Sequence, residues 1–119
     1  MFYCSGKGTA CICYTGQSPS LSGTYQNLTY TSGTSFSNTT ASNSLLLIVY
    51  PKTSSGTCNI VGSATHQANV FKITNGQVTD GAYTENKTTD SISYSDCDMI
   101  AVHLTRSSAI NYTVTVTDS

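Results

Sequence analysis

The carboxylates are the residues whose types and spacing come nearest to a chemical site. The chain has six acidic residues; none lies before position 80, and five fall between positions 80 and 98. Carboxylate and carbonyl oxygens on loops are the ligands that Ca²⁺ prefers. The spacing therefore predicts a ligand or calcium site, whose candidate residues are these five carboxylates and two nearby tyrosines: Asp80, Glu85, Asp90, Asp96, Asp98, Tyr83 and Tyr94.

The same carboxylates fit a second interpretation, in which they cap turns. An Asp side chain accepts hydrogen bonds from the backbone nearby, and the stretches 80–85 and 96–98 have the composition of turns or loops. The spacing of an EF-hand is absent. We therefore expect no cofactor, and calcium is the one metal for which this segment offers candidate ligands.

The cysteines form a second group with possible chemistry. Their odd number leaves at least one unpaired within the chain. We favour two disulfide bridges with one free or intermolecular thiol, as in extracellular proteins. Two alternatives stay open: buried reduced thiols, which pack as small apolar side chains, and zinc, although no common zinc spacing is present. The candidates are Cys4, Cys11, Cys13, Cys58 and Cys97.

No catalytic constellation stands out. His66 and His103 have no nucleophile-elbow sequence around them. Asp96 and Asp98 would share one face of a strand, whereas glycoside hydrolysis needs two carboxyl groups facing each other across a cleft. We therefore expect no catalytic residue and a protein that is not an enzyme.

The composition excludes several classes of protein. Only 9% of the 119 residues are charged, whereas the chain has 20 Thr, 18 Ser and 8 Asn. Five cations with a net charge of -1 are too few for a nucleic-acid binder, whose affinity comes largely from Lys and Arg. No apolar run reaches the roughly 18 residues of a membrane-spanning helix. Nor do the residues after Met1 form the apolar segment of a signal peptide.

Alternating apolar and hydroxyl residues predict β-strands. The clearest are 100–105 and 110–117, which we expect to form an antiparallel hairpin around a turn at 106–108. The run 45–50 is apolar on both faces, which predicts a central, fully covered strand ended by Pro51. Asn75-Gly76 predicts a tight turn. The remaining strands are predicted at 10–14, 24–30, 69–74, 77–79 and 91–95.

Seven or eight short strands with frequent turns predict an all-β fold, a single antiparallel β-sandwich of jelly-roll or immunoglobulin-like type. We expect one domain over residues 1–119, with a Cys-rich N-terminal segment at 1–14. The stretch Ile92 to Thr117, with Asp-x-Ile-x-Val-x-Leu followed by an alternating strand, resembles the closing hairpin of many jelly-roll and fibre-head domains. That resemblance covers about a fifth of the chain and implies no particular function.

Two functions agree with these features. The first is a structural protein that assembles with copies of itself. It would be a decoration, tail or fibre subunit of a virion, or a subunit of an extracellular surface filament. Other virion or surface proteins would be further partners. A surface of hydroxyls rather than charges allows copies to pack without repulsion. The second is a small adhesin or glycan-binding module with its ligand site around 80–98. Both predict an extracellular or virion-surface location, with no nucleic acid and no membrane span.

Overall fold

A computed structural model describes residues 6–14, 25–38 and 42–119. These residues form eight β-strands and contain no helix. The strands are β1 (Thr9–Tyr14), β2 (Tyr25–Thr29), β3 (Ser35–Ser37), β4 (Ser42–Tyr50), β5 (Gly56–Thr74), β6 (Gln77–Tyr94), β7 (Met99–Ile110) and β8 (Tyr112–Asp118). All strand pairs are antiparallel, and the all-β prediction is confirmed.

The strands form one curled sheet, a half-barrel with two arms. The six-stranded arm contains β2, β1, β4, β7, the C-terminal part of β5 and the N-terminal part of β6. The four-stranded arm contains β3, β8, the N-terminal part of β5 and the C-terminal part of β6. The two long strands β5 and β6 therefore run through both arms as one continuous ribbon.

Side chains from both arms meet in a single core. Along β4, β7, β8 and most of β5 alternate residues point inward, because the side chains of a β-strand lie on its two faces in turn. Leu47 of β4 and Val102 of β7 enter this core from the six-stranded arm, and Ile60 of β5 and Val116 of β8 enter it from the four-stranded arm; all four are fully buried. The arms thus face each other as the two layers of a sandwich do.

The tight turn between β5 and β6 is as predicted. Asn75 and Gly76 have φ angles of 52° and 76°, the left-handed conformation that both central residues of a type I′ turn require. The predicted strands at 69–74 and 77–79 are the ends of β5 and β6 beside this turn. Both strands are longer than expected, at 19 and 18 residues, because register shifts let them continue through polar stretches that resemble loops in the sequence.

The predicted hairpin of 100–105 with 110–117 is wrong. β7 and β8 do not pair with each other; they follow one another along the same edge of β5. The chain passes through Asn111, whose N–H and C=O bond to Ser63 at the bend of β5. The residues between β7 and β8 continue the strand direction instead of reversing it, because both strands run antiparallel to β5, β7 along residues 67–73 and β8 along residues 56–62.

The prediction for β4 is confirmed in part. β4 lies between β1 and β7, and Pro51 follows its last residue. Leu45, Leu47 and Val49 are buried in the core. The alternate residues Leu46, Ile48 and Tyr50 are only half-buried, so the expectation that both faces are covered is wrong for the outer face.

Candidate functional site

The most polar part of the interior lies where the β5–β6 ribbon bends, and we call residues 62–67 and 84–88 the ribbon bend. The register of β5 against β6 shifts on both sides of His66. His66 is buried, and its Nε2 donates a hydrogen bond to Asp90 Oδ2 of β6 at 2.5 Å. A buried carboxylate needs such partners, because transfer out of water otherwise costs several kcal/mol.

The neighbours of this pair fix its geometry. Thr84 Oγ1 donates to the other carboxylate oxygen of Asp90 at 2.7 Å. The Tyr112 ring packs edge-to-face on the imidazole, with centroids 5.1 Å apart. Gly62 makes room for His66, because a Cβ at residue 62 would lie 2.7 Å from Nδ1. His66 Nδ1 faces the carbonyl oxygen of Ala64 at 3.4 Å, so both ring nitrogens are directed at protein atoms.

Two clefts adjoin the ribbon bend. One, of about 450 Å³, lies between the bend and β7, where Arg106 Nη1 donates to the Thr65 carbonyl at 2.9 Å. The other, of about 440 Å³, is lined by apolar Val70 and Ile92 and by the polar side chains of Lys72 and Lys87, among others. Three of the five cations, including Arg106, therefore lie around the bend.

The structure separates the carboxylates that the sequence groups together. Asp80 and Glu85 belong to β6, so the prediction of a loop at 80–85 is wrong. Asp80 lies 3.3 Å from Lys72 Nζ, and Asp90 belongs to the pair with His66. Within residues 6–14, 25–38 and 42–119, no three His, Cys, Asp or Glu side chains come together as metal ligands would.

Asp96 and Asp98 lie in the turn that connects β6 to β7. Asp98 Oδ2 accepts a hydrogen bond from the backbone N–H of Asn75 at 2.8 Å. Asp96 has a φ of 51°, and its carbonyl accepts from Thr74 Oγ1 at 2.6 Å. These contacts tie the β6–β7 turn to the β5–β6 turn, which is the capping role of the second interpretation.

The two predicted ligand tyrosines lie apart. Tyr83 is on the outer face of β6, with its hydroxyl 3.5 Å from Glu85. Tyr94 is buried at the opposite end of β6 and donates to Asp118 Oδ1 at 2.9 Å. Since Tyr83 and Tyr94 occupy different arms, they do not contribute to one site.

Asp118 accepts hydrogen bonds from two tyrosines and the backbone, a cluster that we call the Asp118 junction. Tyr30 Oη lies 2.8 Å from Asp118 Oδ2, and the Lys52 N–H donates to Oδ1 at 3.1 Å. Burial, and then the carboxylate, raise the pKa of Tyr30 and Tyr94 above the usual range of tyrosine. The sequence gives no signal for this junction, because Tyr30 and Asp118 are 88 residues apart.

The cysteines are mainly buried thiols. Cys13, Cys58 and Cys97 are reduced, which leaves too few cysteines for two bridges, so the preferred disulfide expectation is wrong. Cys11 is buried with its Sγ 3.7 Å from Asn27 Oδ1, and Cys4 lies outside the described residues. Burial raises the pKa of Cys58 to about 12. The alternative of buried reduced thiols therefore fits Cys58 and Cys97, because a reduced cysteine packs in a core as a small apolar side chain does.

The outer surface of the six-stranded arm is apolar over adjacent strands. The register places Leu46, His103, Asn69 and Tyr83 in one cross-strand row, and Ile48, Ala101 and Phe71 in the next. Phe71 and Tyr83 are 41% and 54% exposed. We call this surface the apolar face. No Lys, Arg, Asp or Glu belongs to it. Its members are Leu46, Ile48, Tyr50, Asn69, Phe71, Ile73, Tyr83, Met99, Ala101 and His103.

The outer surface of the four-stranded arm is made differently. Its cross-strand positions carry hydroxyls and an amide, with Val61 as the apolar member. Ser35 pairs with Thr115 at 2.7 Å and Ser37 with Thr113 at 3.1 Å, oxygen to oxygen. We call this surface the hydroxyl face; its members are Ser35, Ser37, Thr57, Asn59, Val61, Ser91, Ser93, Thr113, Thr115 and Thr117.

No protein-family model matches the chain, and no curated protein matches it. Among the described residues there is no helix long and apolar enough to cross a membrane.

Proposed function

We propose that this chain is a non-enzymatic structural subunit that assembles with copies of itself, on a virion or in an extracellular filament. The observation that carries the proposal is the contrast between the apolar face and the hydroxyl face. An antiparallel sheet normally exposes a polar outer face to water, and the four-stranded arm does so. The six-stranded arm instead presents aromatic and aliphatic side chains, a pattern that marks an interaction surface.

A second copy is the partner that this surface suits. The apolar face lies on four adjacent strands and extends about 15 Å across them and about 14 Å along them. It would form the apolar centre of a larger contact, because a standard stable interface buries roughly 800 Å² per partner. The face carries no Lys, Arg, Asp or Glu, and Glu85 beside Tyr83 places a charge only at its edge, so the centres of two copies meet without like-charge repulsion. Phe71 and Tyr83 would be buried at its centre and its edge, and aromatic residues dominate binding energy at interfaces.

The interior chemistry supports a role without catalysis. The two nitrogens of His66 are directed at Asp90 and at the Ala64 carbonyl, and the Thr84 hydroxyl bonds to Asp90. The Thr84 hydroxyl and His66 thus bond to the two oxygens of one carboxylate, so these polar groups are engaged with one another within the fold. The pair instead supports the ribbon bend on which both arms depend.

Measurement of the native mass tests the proposal. The purified full chain is expected to sediment as a dimer or larger assembly at micromolar concentration, and negative-stain microscopy is expected to show any filaments. Phe71→Asp places a charge in the apolar face and is expected to lower the mass. Thr113→Asp, which places the same charge on the hydroxyl face, is the matched control. A wild-type chain that stays monomeric up to millimolar concentration would overturn the proposal.

A recognition module is the second candidate function, and one observation favours it. The cleft of about 440 Å³ lies within the predicted ligand segment and is lined by Lys72, Lys87 and several hydroxyls. Such a lining suits a small polar ligand such as an acidic sugar. A monomeric chain that binds glycans on an array, and loses that binding in Lys87→Ala, would favour this function over assembly.

A further inference from the structure

The long strand β6 has one edge that pairs with no other strand among the described residues. Within the described part of the chain, β6 pairs only with β5, and it does so from Gln77 to Tyr94. Its other edge therefore presents backbone N–H and C=O groups over 18 residues, whereas most strands are only about 5 or 6 residues long. Exposed edges are commonly made short, or are protected by proline, charged side chains or bulges, which prevent pairing with another chain. β6 is neither short nor interrupted by proline, and its positive-φ residue lies between two charged residues at 85–87.

The charges at the centre of this edge are self-complementary. Glu85 and Lys87 flank Asn86, are exposed, and form no ion pair with any other described residue. In an antiparallel pair of β6 strands centred on Asn86, Glu85 of each copy lies opposite Lys87 of the other. Opposite charges at directly paired positions stabilise antiparallel strands. The same register places Asp80 opposite Ile92 and Asp90 opposite Ala82, so no two carboxylates meet.

The shape of β6 selects the same register. Asn86 has a φ of 58°, and the pairing of β6 with β5 shifts on both sides of Lys87. Two strands that bend at one residue stay in contact along their lengths only if their bends coincide. A two-fold axis through Asn86 makes the bends coincide, whereas any shifted register separates them.

We infer that β6 pairs with β6 of a second copy in antiparallel fashion about a two-fold axis at Asn86, an inference that rests on the proposed assembly function. This edge is distinct from the apolar face. A chain with two different two-fold interfaces builds an assembly larger than a dimer, because each copy has two neighbours. Loss of either interface alone leaves dimers.

Charge reversal at the two central positions tests the edge. Lys87→Glu and Glu85→Lys each place like charges opposite one another twice, and each is expected to raise the Kd of the edge contact about tenfold or more. The double variant Glu85→Lys with Lys87→Glu restores complementarity and is expected to regain the wild-type mass. Lys7→Glu, which reverses an exposed charge elsewhere, is the control and is expected to leave the mass unchanged.

Mixing the two single variants gives the sharpest result. A Lys87→Glu chain carries two acidic residues at the centre and a Glu85→Lys chain carries two lysines, so the mixture is expected to form the edge contact that neither forms alone. Circular dichroism of each variant checks that the fold is intact. If the wild type assembles but the single variants keep its mass, the edge inference is wrong and the assembly function stands. If the wild type is monomeric, both are wrong.

Discussion

His66 Nε2 and Asp90 Oδ2 lie 2.5 Å apart with both side chains almost wholly buried, and they join the two strands of the ribbon where its register shifts. The pair sits between the arms, since Tyr112 of β8 packs on the imidazole and Thr84 of β6 donates to the carboxylate. The bend of the half-barrel is therefore held by polar contacts where β5 and β6 lose regular pairing on both sides of His66.

Removal of Asp90 is expected to destabilise the fold strongly. Asp90→Ala leaves buried His66 without its acceptor and Thr84 without its partner, so the free energy of unfolding is expected to fall by about 3 kcal/mol. Asp80→Ala is the matched control: Asp80 is 62% exposed and bonded to Lys72, and its loss is expected to change stability by less than about 0.5 kcal/mol. Urea denaturation measures both. Equal losses in the two variants would show that the buried pair contributes no more to the free energy of unfolding than the exposed ion pair does.

Two tyrosine hydroxyls are expected to respond in opposite ways to replacement by Phe. The Tyr112 hydroxyl is buried with no hydrogen-bond partner among the described residues, whereas that of Tyr94 donates to Asp118. Tyr112→Phe is therefore expected to leave the free energy of unfolding unchanged or to raise it by up to about 1 kcal/mol, and Tyr94→Phe to lower it by about 2 kcal/mol. A marked loss in Tyr112→Phe would reveal a partner for that hydroxyl.

Stability is expected to fall in alkaline solution because of the Asp118 junction. Burial and the Asp118 carboxylate raise the pKa of Tyr30 and Tyr94 above the ordinary value of 10.0. Above that pH the unfolded chain loses these protons while the folded chain keeps them, so unfolding becomes more favourable as pH rises. The contribution of these two tyrosines to the free energy of unfolding is therefore complete below pH 10. It decreases as the pH rises toward their pKa in the folded protein.

Melting temperatures between pH 8 and pH 11 measure this effect. Tyr94→Phe has one titrating group fewer, so its melting temperature is expected to start lower than that of the wild type and to fall less steeply. Parallel curves for the two proteins would contradict a raised pKa at Tyr94.

The strand content and the core are predictable from the sequence, whereas the pairing of strands is not. Period-two alternation identifies β7 and β8 and their buried residues, because each side chain's face is a local property, and a continuous apolar run identifies β4. The hairpin assigned to 100–117 fails because Arg106, Ser107 and Ser108 resemble a turn. The buried residues from Ile100 to Val116 are all even-numbered, but they would share one face in a hairpin as well, so their parity does not distinguish a hairpin from one continuing strand.

The candidate sites are predictable only where they depend on neighbouring residues. The position of Asp96 and Asp98 in a turn follows from their local sequence, whereas the bond of Asp98 to the Asn75 N–H joins residues 23 positions apart. The pairing of His66 with Asp90 depends on register shifts in β5, and the Asp118 junction joins four separate segments, so neither leaves a spacing in the chain. The apolar face needs the sheet order as well, because Phe71 and Ile48 become neighbours only through β7.

A methyl group at Gly56 is expected to disrupt the start of β5. Its Cβ would lie 2.5 Å from the Tyr94 hydroxyl and against the Thr117 carbonyl, and the backbone φ is 155°. Gly56→Ala is therefore expected to lower the free energy of unfolding by about 2 kcal/mol through overpacking. Gly81→Ala is the control, because a Cβ there meets no atom closer than 3.7 Å. Thermal denaturation compares the two, and an equal loss in both would show that the contact at Tyr94 relaxes freely.

Thiol reactivity is expected to follow burial. Burial raises the pKa of Cys58 from 9.0 to about 12, which lowers its thiolate fraction at pH 8 by about a thousandfold. Cys13 is half-buried, so it is expected to react with iodoacetamide before Cys58 and Cys97 in the native protein, and all three are expected to react after denaturation without reductant. Mass spectrometry of the alkylated peptides reads this order. Early labelling of Cys58 would mean that the core of the four-stranded arm opens, and failure to label after denaturation would mean that the cysteine is already bonded.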